Sequence, residues 1–275
     1  MAETITLLHG AEIPRIGAGT WPLNDADAER VVADALAAGY RLIDTAQAYG
    51  NELGVGRGLK AAGVERGDVF VTSKFNKQWH GREKVAEAVR RSLDTLGLDY
   101  LDLFLIHWPN PAHDKYVEAW EGLVALLEAG TVRAIGTSNF KPAHLERIIA
   151  ATGVAPDVNQ IQLSPASTRA AARAFHAEHG IVTESWSPIG GQGVRVLDLP
   201  VVGEIARQTG RTGAQVVLRW HLQTGLLPIP KSADPQRLRE NLDVFGFELT
   251  EEQMTALSAL DQGESAVVDS DVFGH

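Results

Sequence analysis

Cysteine is missing altogether from the 275 residues. Its absence excludes disulfide bridges and thiol chemistry. No apolar run approaches the roughly 20 residues that a membrane-spanning helix needs. The opening MAETITLLHG lacks the basic start and apolar core of a signal peptide, so a cytoplasmic location is the expectation. Positive charge is also in short supply. The formal net charge of −10 argues against nucleic acid or an anionic membrane as the main partner. No linker-like Pro/Ser/Gly-rich tract divides the chain, and one domain spanning residues 1–275 is expected. No HExxH occurs, and His107 stands nearly alone among strand ends, so no metal is expected. His176 and His179 lie one helical turn apart on a charged helix and read as surface residues. What is present is 44% hydrophobic content, enough for a substantial core.

That content is distributed as an alternation. ITLLHGAEIPRIG reads as a hairpin turning at His9-Gly10 and leading into a strand near Ile13 to Gly17. Asn24 or Asp25 then caps a helix carrying Val31, Val32, Ala35 and Leu36 on one face, stopped by Gly39. Short apolar runs follow at Arg41 to Ile43, Val69 to Thr72, Leu101 to Ile106, Val132 to Ile135, Val158 to Leu163, Ile181 to Glu184 and Leu226 to Ile229. Amphipathic helical patterns separate them, with extra helices late in the chain, near Val201 to Gln208 and Thr250 to Leu260. Counted with the first strand, this predicts an α/β fold, a (β/α)8 TIM barrel preceded by a hairpin. An open doubly wound sheet would need a glycine-rich first turn. The candidate GVGRGL, from Gly54, lacks the third glycine, follows no strand and reads as part of a helix.

In such a barrel, polar residues at the C-terminal strand ends point into a site built by the loops. Those ends supply Thr20 and Trp21, Asp44, Lys74, His107, Ser138 and Asn139, Asn159 and Gln160, Glu184, and Lys231 with Ser232. Tyr49 follows Asp44 in GYRLIDTAQAYGNE. A phenol titrates near 10 unperturbed and is a poor acid at neutral pH. A lysine ammonium beside it favours the phenolate, a carboxylate holds that lysine charged, and an imidazole opposite can orient a carbonyl. The set suits protonation of an oxygen as charge develops on it. It contains no reductant, so a cofactor must bring the hard step.

The chain resembles the aldo-keto reductase superfamily, and most closely its bacterial branch containing 2,5-diketo-gluconate reductases. The motifs GTWPL, DTAQAYGNE, VTSKF, LIHWP, GTSNF, NQIQLSP, ESWSPIGGQG, IPKS and RLRENLDVF carry the resemblance across nearly the whole length. It implies an NADPH-dependent reductase of aldehydes, ketones or dicarbonyls, working as a monomer. Asp44, Tyr49, Lys74 and His107 match the family's catalytic tetrad, with Tyr49 as general acid. Trp186 matches the aromatic that stacks on the nicotinamide, and Ser138, Asn139 and Gln160 match the carboxamide contacts. Ser187, Ile189 and Gly190 correspond to the pyrophosphate loop; Lys231, Ser232 and Arg237 to the 2′-phosphate site; Glu240 and Asn241 to the adenine site. Thr20 and Trp21 complete the cofactor set, and the substrate set is Trp21, Tyr49, Trp79, His107, Trp108 and Gln192.

The pattern departs from the family at two places. Asp234 lies within the phosphate motif, where it can repel a 2′-phosphate or accept bonds from a free ribose hydroxyl, which leaves NADH use open beside NADPH. Three variable segments, about 110–115, 190–198 and the tail after Gly263, are expected to finish the pocket, but GGQG carries an extra glycine and the tail is short, so the family's substrate contacts there do not carry over directly. Two other readings compete. A barrel hydrolase would pair Asp44 with Glu184 but leaves Lys74, Tyr49 and IPKS without a role. A non-catalytic, NADPH-binding redox sensor would not need the complete tetrad.

Overall fold

The computed structural model describes residues 3–191 and 194–274. An antiparallel hairpin comes first, β1 (Thr4–Thr6) against β2 (Glu12–Pro14), with Ile5 opposite Ile13. Its turn closes through the Gly10 N–H on the Leu7 carbonyl, with Gly10 at φ 88°, a region that favours glycine.

The barrel then winds as β3 (Ala18–Gly19), α1 (Asp25–Ala38), β4 (Leu42–Asp44), α2 (Glu52–Ala62), β5 (Phe70–Phe75) and α3 (Lys84–Leu96). It continues through β6 (Leu101–Ile106), α4 (Tyr116–Glu128), β7 (Val132–Ser138), α5 (Pro142–Thr152), β8 (Val158–Gln162) and α6 (Ala170–Glu178). The last turns are β9 (Val182–Trp186), α7 (Pro200–Thr209), α8 (Gly213–Gln223), β10 (Leu227–Ile229), α9 (Pro235–Leu242) and α10 (Glu251–Ser258). The strands β3 to β10 neighbour one another in chain order, every pair parallel. The N–H groups of Gly17 and Gly19 donate to the carbonyls of Pro228 and Pro230 and close the ring. This is the α/β TIM barrel that the alternation predicts.

Its first strand is shorter and later than the sequence pattern predicts. Ile13 belongs to the hairpin, and the barrel strand begins only at Ala18. The reason is packing: Leu7 and Ile13 plug the lower end of the barrel against Leu42, Phe70, Leu103 and Leu227. Each such buried aliphatic side chain contributes roughly 1.5–3 kcal/mol of transfer free energy. The His9 backbone N–H and ring both reach the buried Asp157 carboxylate, each at 2.9 Å, and pin the plug.

Side chains alternate along a strand. Two residues beyond Leu42 the same inward face of β4 carries Asp44; two beyond Val158, β8 carries Gln160; two beyond Val182, β9 carries Glu184. The interior is therefore apolar below and polar above. The GVGRGL stretch lies within α2, as its pattern predicts. A Cβ would come within 2.1 Å of the Asp25 carbonyl oxygen at Gly54 and within 2.1 Å of the Leu96 carbonyl oxygen at Gly56. These glycines let α2 lie directly against the start of α1 and the end of α3. Trp120 and Trp220, on helices, are fully buried packing residues. No helix among the described residues is long and apolar enough to cross a membrane.

Candidate active site

Asp44 ends β4, Lys74 lies on β5, His107 follows β6, and Tyr49 sits on a 3-10 turn, Gln47–Tyr49, between β4 and α2. Parallel pairing in consecutive register brings the four together. The sequence pattern puts Lys74 just past a strand end. Instead β5 runs on to Phe75, with Lys74 paired to Leu105 and its side chain inside the barrel. The Lys74 ammonium is fully buried. It donates to Asp44 Oδ1 at 2.7 Å, to the Thr45 carbonyl at 3.0 Å and to Tyr49 Oη at 3.2 Å.

A buried charge survives only with such partners. Burial opposes the ammonium, but Asp44, followed by Tyr49, outweighs it and holds Lys74 charged above the ordinary lysine range. Burial likewise lifts the Tyr49 phenol above its usual value, and Lys74 pulls down against that rise. The lysine thus acts on the phenol in the direction expected from sequence, but burial, which the sequence does not show, is the larger effect. His107 is 5% exposed and meets Tyr49 edge-on, ring centres 5.6 Å apart. Its Nδ1 lies 3.0 Å from Asn76 Oδ1, a contact that fixes the ring plane. Asn76, directly after VTSKF, escapes a reading of strand ends alone.

Above the tetrad a hydrogen-bonded shelf runs along the strand ends. Gln160 Nε2 donates to Asp44 Oδ2 at 2.9 Å, and Ser138 Oγ to the Gln160 carbonyl at 2.9 Å. Asn139, at φ 64°, donates through Nδ2 to the His107 carbonyl at 3.1 Å and accepts from Trp186 Nε1 at 2.8 Å. His176 supports this shelf from behind. It is fully buried, not at the surface as its charged helix implies, and its ring meets Asn159 Nδ2 at 2.9 Å and Thr183 Oγ1 at 2.8 Å. Asn159 in turn donates to the Phe140 carbonyl, next to Asn139. Burial and the nearby Arg169 push the imidazole down to about 4, so it is neutral. His179 is half-buried and stacks on Phe175.

A cavity of about 540 Å³ opens over this floor. Asp44, Tyr49 and His107 face it, with Lys74 beneath. Of the expected cofactor residues, Thr20, Trp21, Ser138, Asn139, Gln160, Trp186, Ser187, Ile189, Gly190 and Lys231 line it. Ser232 is buried beside Lys231, while Arg237, Glu240 and Asn241 lie outside the lining, on α9. Asp234 caps α9, accepting from the N–H groups of Gln236 at 2.8 Å and Arg237 at 3.1 Å. Those bonds hold its carboxyl below the usual range.

Of the expected substrate residues, Trp21, Tyr49, His107 and Trp108 line the cavity. Trp79 does not. Its 3-10 turn, Lys77–Trp79, aims the ring at α3, where the Arg91 guanidinium lies 5.2 Å from its centre. Gln192 lies outside the described residues. Glu184, the hydrolase candidate, is fully buried and absent from the lining. The tail after Gly263 helps finish the cavity, as expected: Val268 and Phe273 face it, Phe273 edge-on to Trp108 with ring centres 4.9 Å apart. Lys141 binds Asp269 at 2.6 Å and Asp271 at 2.5 Å and so ties the tail down.

A barrel with this constellation invites comparison with known proteins. Residues 15–262 match the model of the aldo/keto reductase family. The chain belongs to that family. It is therefore an oxidoreductase acting on carbonyl groups. It is 46% identical over 275 residues to methylglyoxal reductase DkgA of Yersinia pestis, covering 100% of this chain and 98% of that one. It is 48% identical over 260 residues to 2,5-diketo-D-gluconic acid reductase B of a Corynebacterium species, covering 94% of each. Among solved structures, Gox0644 without ligand superposes with a TM-score of 0.95 at 44% identity over 100% of both chains. A Gox0644 variant in complex with NADPH gives 0.94, also at 44% identity and 100% of both chains.

Proposed function

We propose that this protein is an NADPH-dependent reductase of small aldehydes, ketones and dicarbonyls, with Tyr49 as general acid. The observation that carries the reading is the fully buried Lys74 ammonium, bridging Asp44 and Tyr49 on the floor of the cavity. NADPH, when bound, supplies the hydride that reduces the carbonyl carbon. The lining fits such a group: the half-buried ring of Trp186 stands next to Ser138, Asn139 and Gln160, and the exposed Lys231 offers a cation for phosphate. The protein's own part is proton transfer. Tyr49 gives its proton to the oxygen as negative charge develops there, and Lys74 stabilises the phenolate left behind. Asp44 keeps Lys74 charged and in place, and His107, fixed by Asn76, orients the carbonyl.

The names of the relatives support methylglyoxal and 2,5-diketo-gluconate as first substrates to try. The test is NADPH oxidation followed at its absorbance band with each carbonyl added. Carbonyl-dependent oxidation is expected, and NADH is run in parallel because Asp234 borders the phosphate motif. Oxidation that no aldehyde, ketone or dicarbonyl accelerates overturns the reading. The paired-carboxylate hydrolase is not favoured, since Glu184 has no face on the cavity and Asp44 is bonded to Lys74.

A further inference from the structure

The proposed proton transfer uses Asp44, Lys74, Tyr49 and His107 and leaves one buried acid without a part. Glu184 lies on β9, fully buried. Its pairing partner across β8 is Gln160, and across β10 it is the apolar Leu227. Among the described residues neither of its oxygens has a hydrogen bond of full length and angle. The Gln160 amide, bonded to Asp44 at 2.9 Å, lies close enough to favour the ionised form, the smallest of the influences on this carboxyl. The charged and titratable groups facing Glu184 are Asp44 from β4, Lys74 from β5 and Tyr49 from the turn after β4.

Lys74 carries one positive charge and Asp44 one negative, so the tetrad's interior is balanced while Glu184 holds its proton. An ionised Glu184 would put a second carboxylate near one ammonium in a dry interior, where charges act strongly on one another. Removing the Tyr49 proton would then create a third negative charge. We propose that Glu184 is a positioning residue of the tetrad: uncharged, it leaves the Lys74 ammonium to stabilise the Tyr49 phenolate, and ionised, it cancels that help. Burial first, and the Asp44 carboxylate next, push the Glu184 carboxyl up to about 8. The control therefore operates on the alkaline side of neutrality. Tyr49 itself is lifted above its ordinary value and does not titrate there.

The inference rests on the reductase reading, and the experiment separates the two. Carbonyl reduction by wild type and by Glu184→Gln is followed from pH 6 to 9.5 with NADPH saturating. The wild-type kcat is expected to fall roughly tenfold across an inflection near pH 8, the size of effect one charge exerts through a screened interior. In Glu184→Gln, which keeps the shape and cannot ionise, that fall should shrink to under about twofold. Superimposable alkaline limbs overturn the inference and leave the reductase reading standing. Failure of wild type to reduce any carbonyl defeats the reductase reading and this inference with it. Should the variant fail to fold, carbon-13 carboxyl resonances of glutamate-labelled wild type decide the matter: one must titrate near pH 8, and none doing so overturns the proposal.

Discussion

Two lysines of this barrel mark opposite ways of using a charge. Lys74 is fully buried, with three bonded oxygens around its ammonium. Lys231 is exposed at the cavity edge, on the segment leading into α9. The first is organised by the folding of the barrel, because an unpaired ammonium cannot be buried at acceptable cost. The second keeps its ammonium in solvent and costs the fold little. On the proposed function, the first therefore governs chemistry and stability together, and the second governs only what binds.

The largest expected effect tests the buried corner. Tyr49→Phe removes the acid and leaves the Lys74–Asp44 pair intact. Its kcat for carbonyl reduction should fall by about 10³-fold, within the usual range for a lost general acid. NADPH affinity, read from quenching of tryptophan fluorescence, should stay within about twofold, since the hydroxyl acts at the reacting oxygen. Lys74→Met sharpens the contrast. It should lose turnover to a similar degree and also unfold earlier, by about 3–5 kcal/mol, because Asp44 is left buried with no counter-charge. A Tyr49→Phe enzyme retaining near-normal kcat would remove Tyr49 from the chemistry.

The exposed corner should respond differently. Lys231→Met combined with Arg237→Met is expected to raise the KM for NADPH by about 10- to 100-fold while kcat and melting temperature barely move, the pattern of lost binding shared by ground and transition states. The KM for NADH should stay nearly constant. Asp234→Thr should act in the opposite sense and more weakly. Threonine keeps a cap for α9 but removes the carboxylate, so the NADPH-to-NADH preference should rise by about two- to fivefold. Equal shifts for both cofactors would show that these residues do not meet the 2′-phosphate.

The same division explains how much of the molecule is legible in its sequence. Strand order, helix faces and the polar strand ends that gather at the cavity can be read because period, glycine stops and polar residues at strand ends are local signals. The C-cap Gly39 and the strand Leu101–Ile106 fall where their patterns put them. Local pattern places Lys74 too near a strand end, because pairing with β6, Lys74 opposite Leu105 and Phe75 opposite Ile106, is what extends β5. It also places His176 at the surface, since the surrounding helix is charged and its partners Asn159 and Thr183 come from two separate strands. Loop position alone points Trp79 to the pocket, but the direction of a ring depends on which neighbour it finds, here Arg91. The tail's place at the pocket can be expected from the sequence, but what holds it there cannot, for the same reason: its acids pair with Lys141, more than a hundred residues away in sequence.

That tail supplies the smallest prediction. Asp269 and Asp271 hold Lys141, and Asp271 also reaches His144 Nε2 at 3.0 Å. These groups are partly or largely exposed, and exposed ion pairs contribute little to stability. The apolar residues they position, Val268 and Phe273, nonetheless form part of the cavity wall. Asp269→Asn with Asp271→Asn should therefore raise the KM for a bulky carbonyl by about two- to fivefold and leave the KM for NADPH unchanged. Because such pairs are screened within about 3 Å at 1 M salt, wild type at high salt should approach the variant's value. An unchanged carbonyl KM at both salt concentrations would show that Phe273 keeps its place on Trp108 without the latch, leaving the edge-on ring contact at 4.9 Å as the feature that seats the tail.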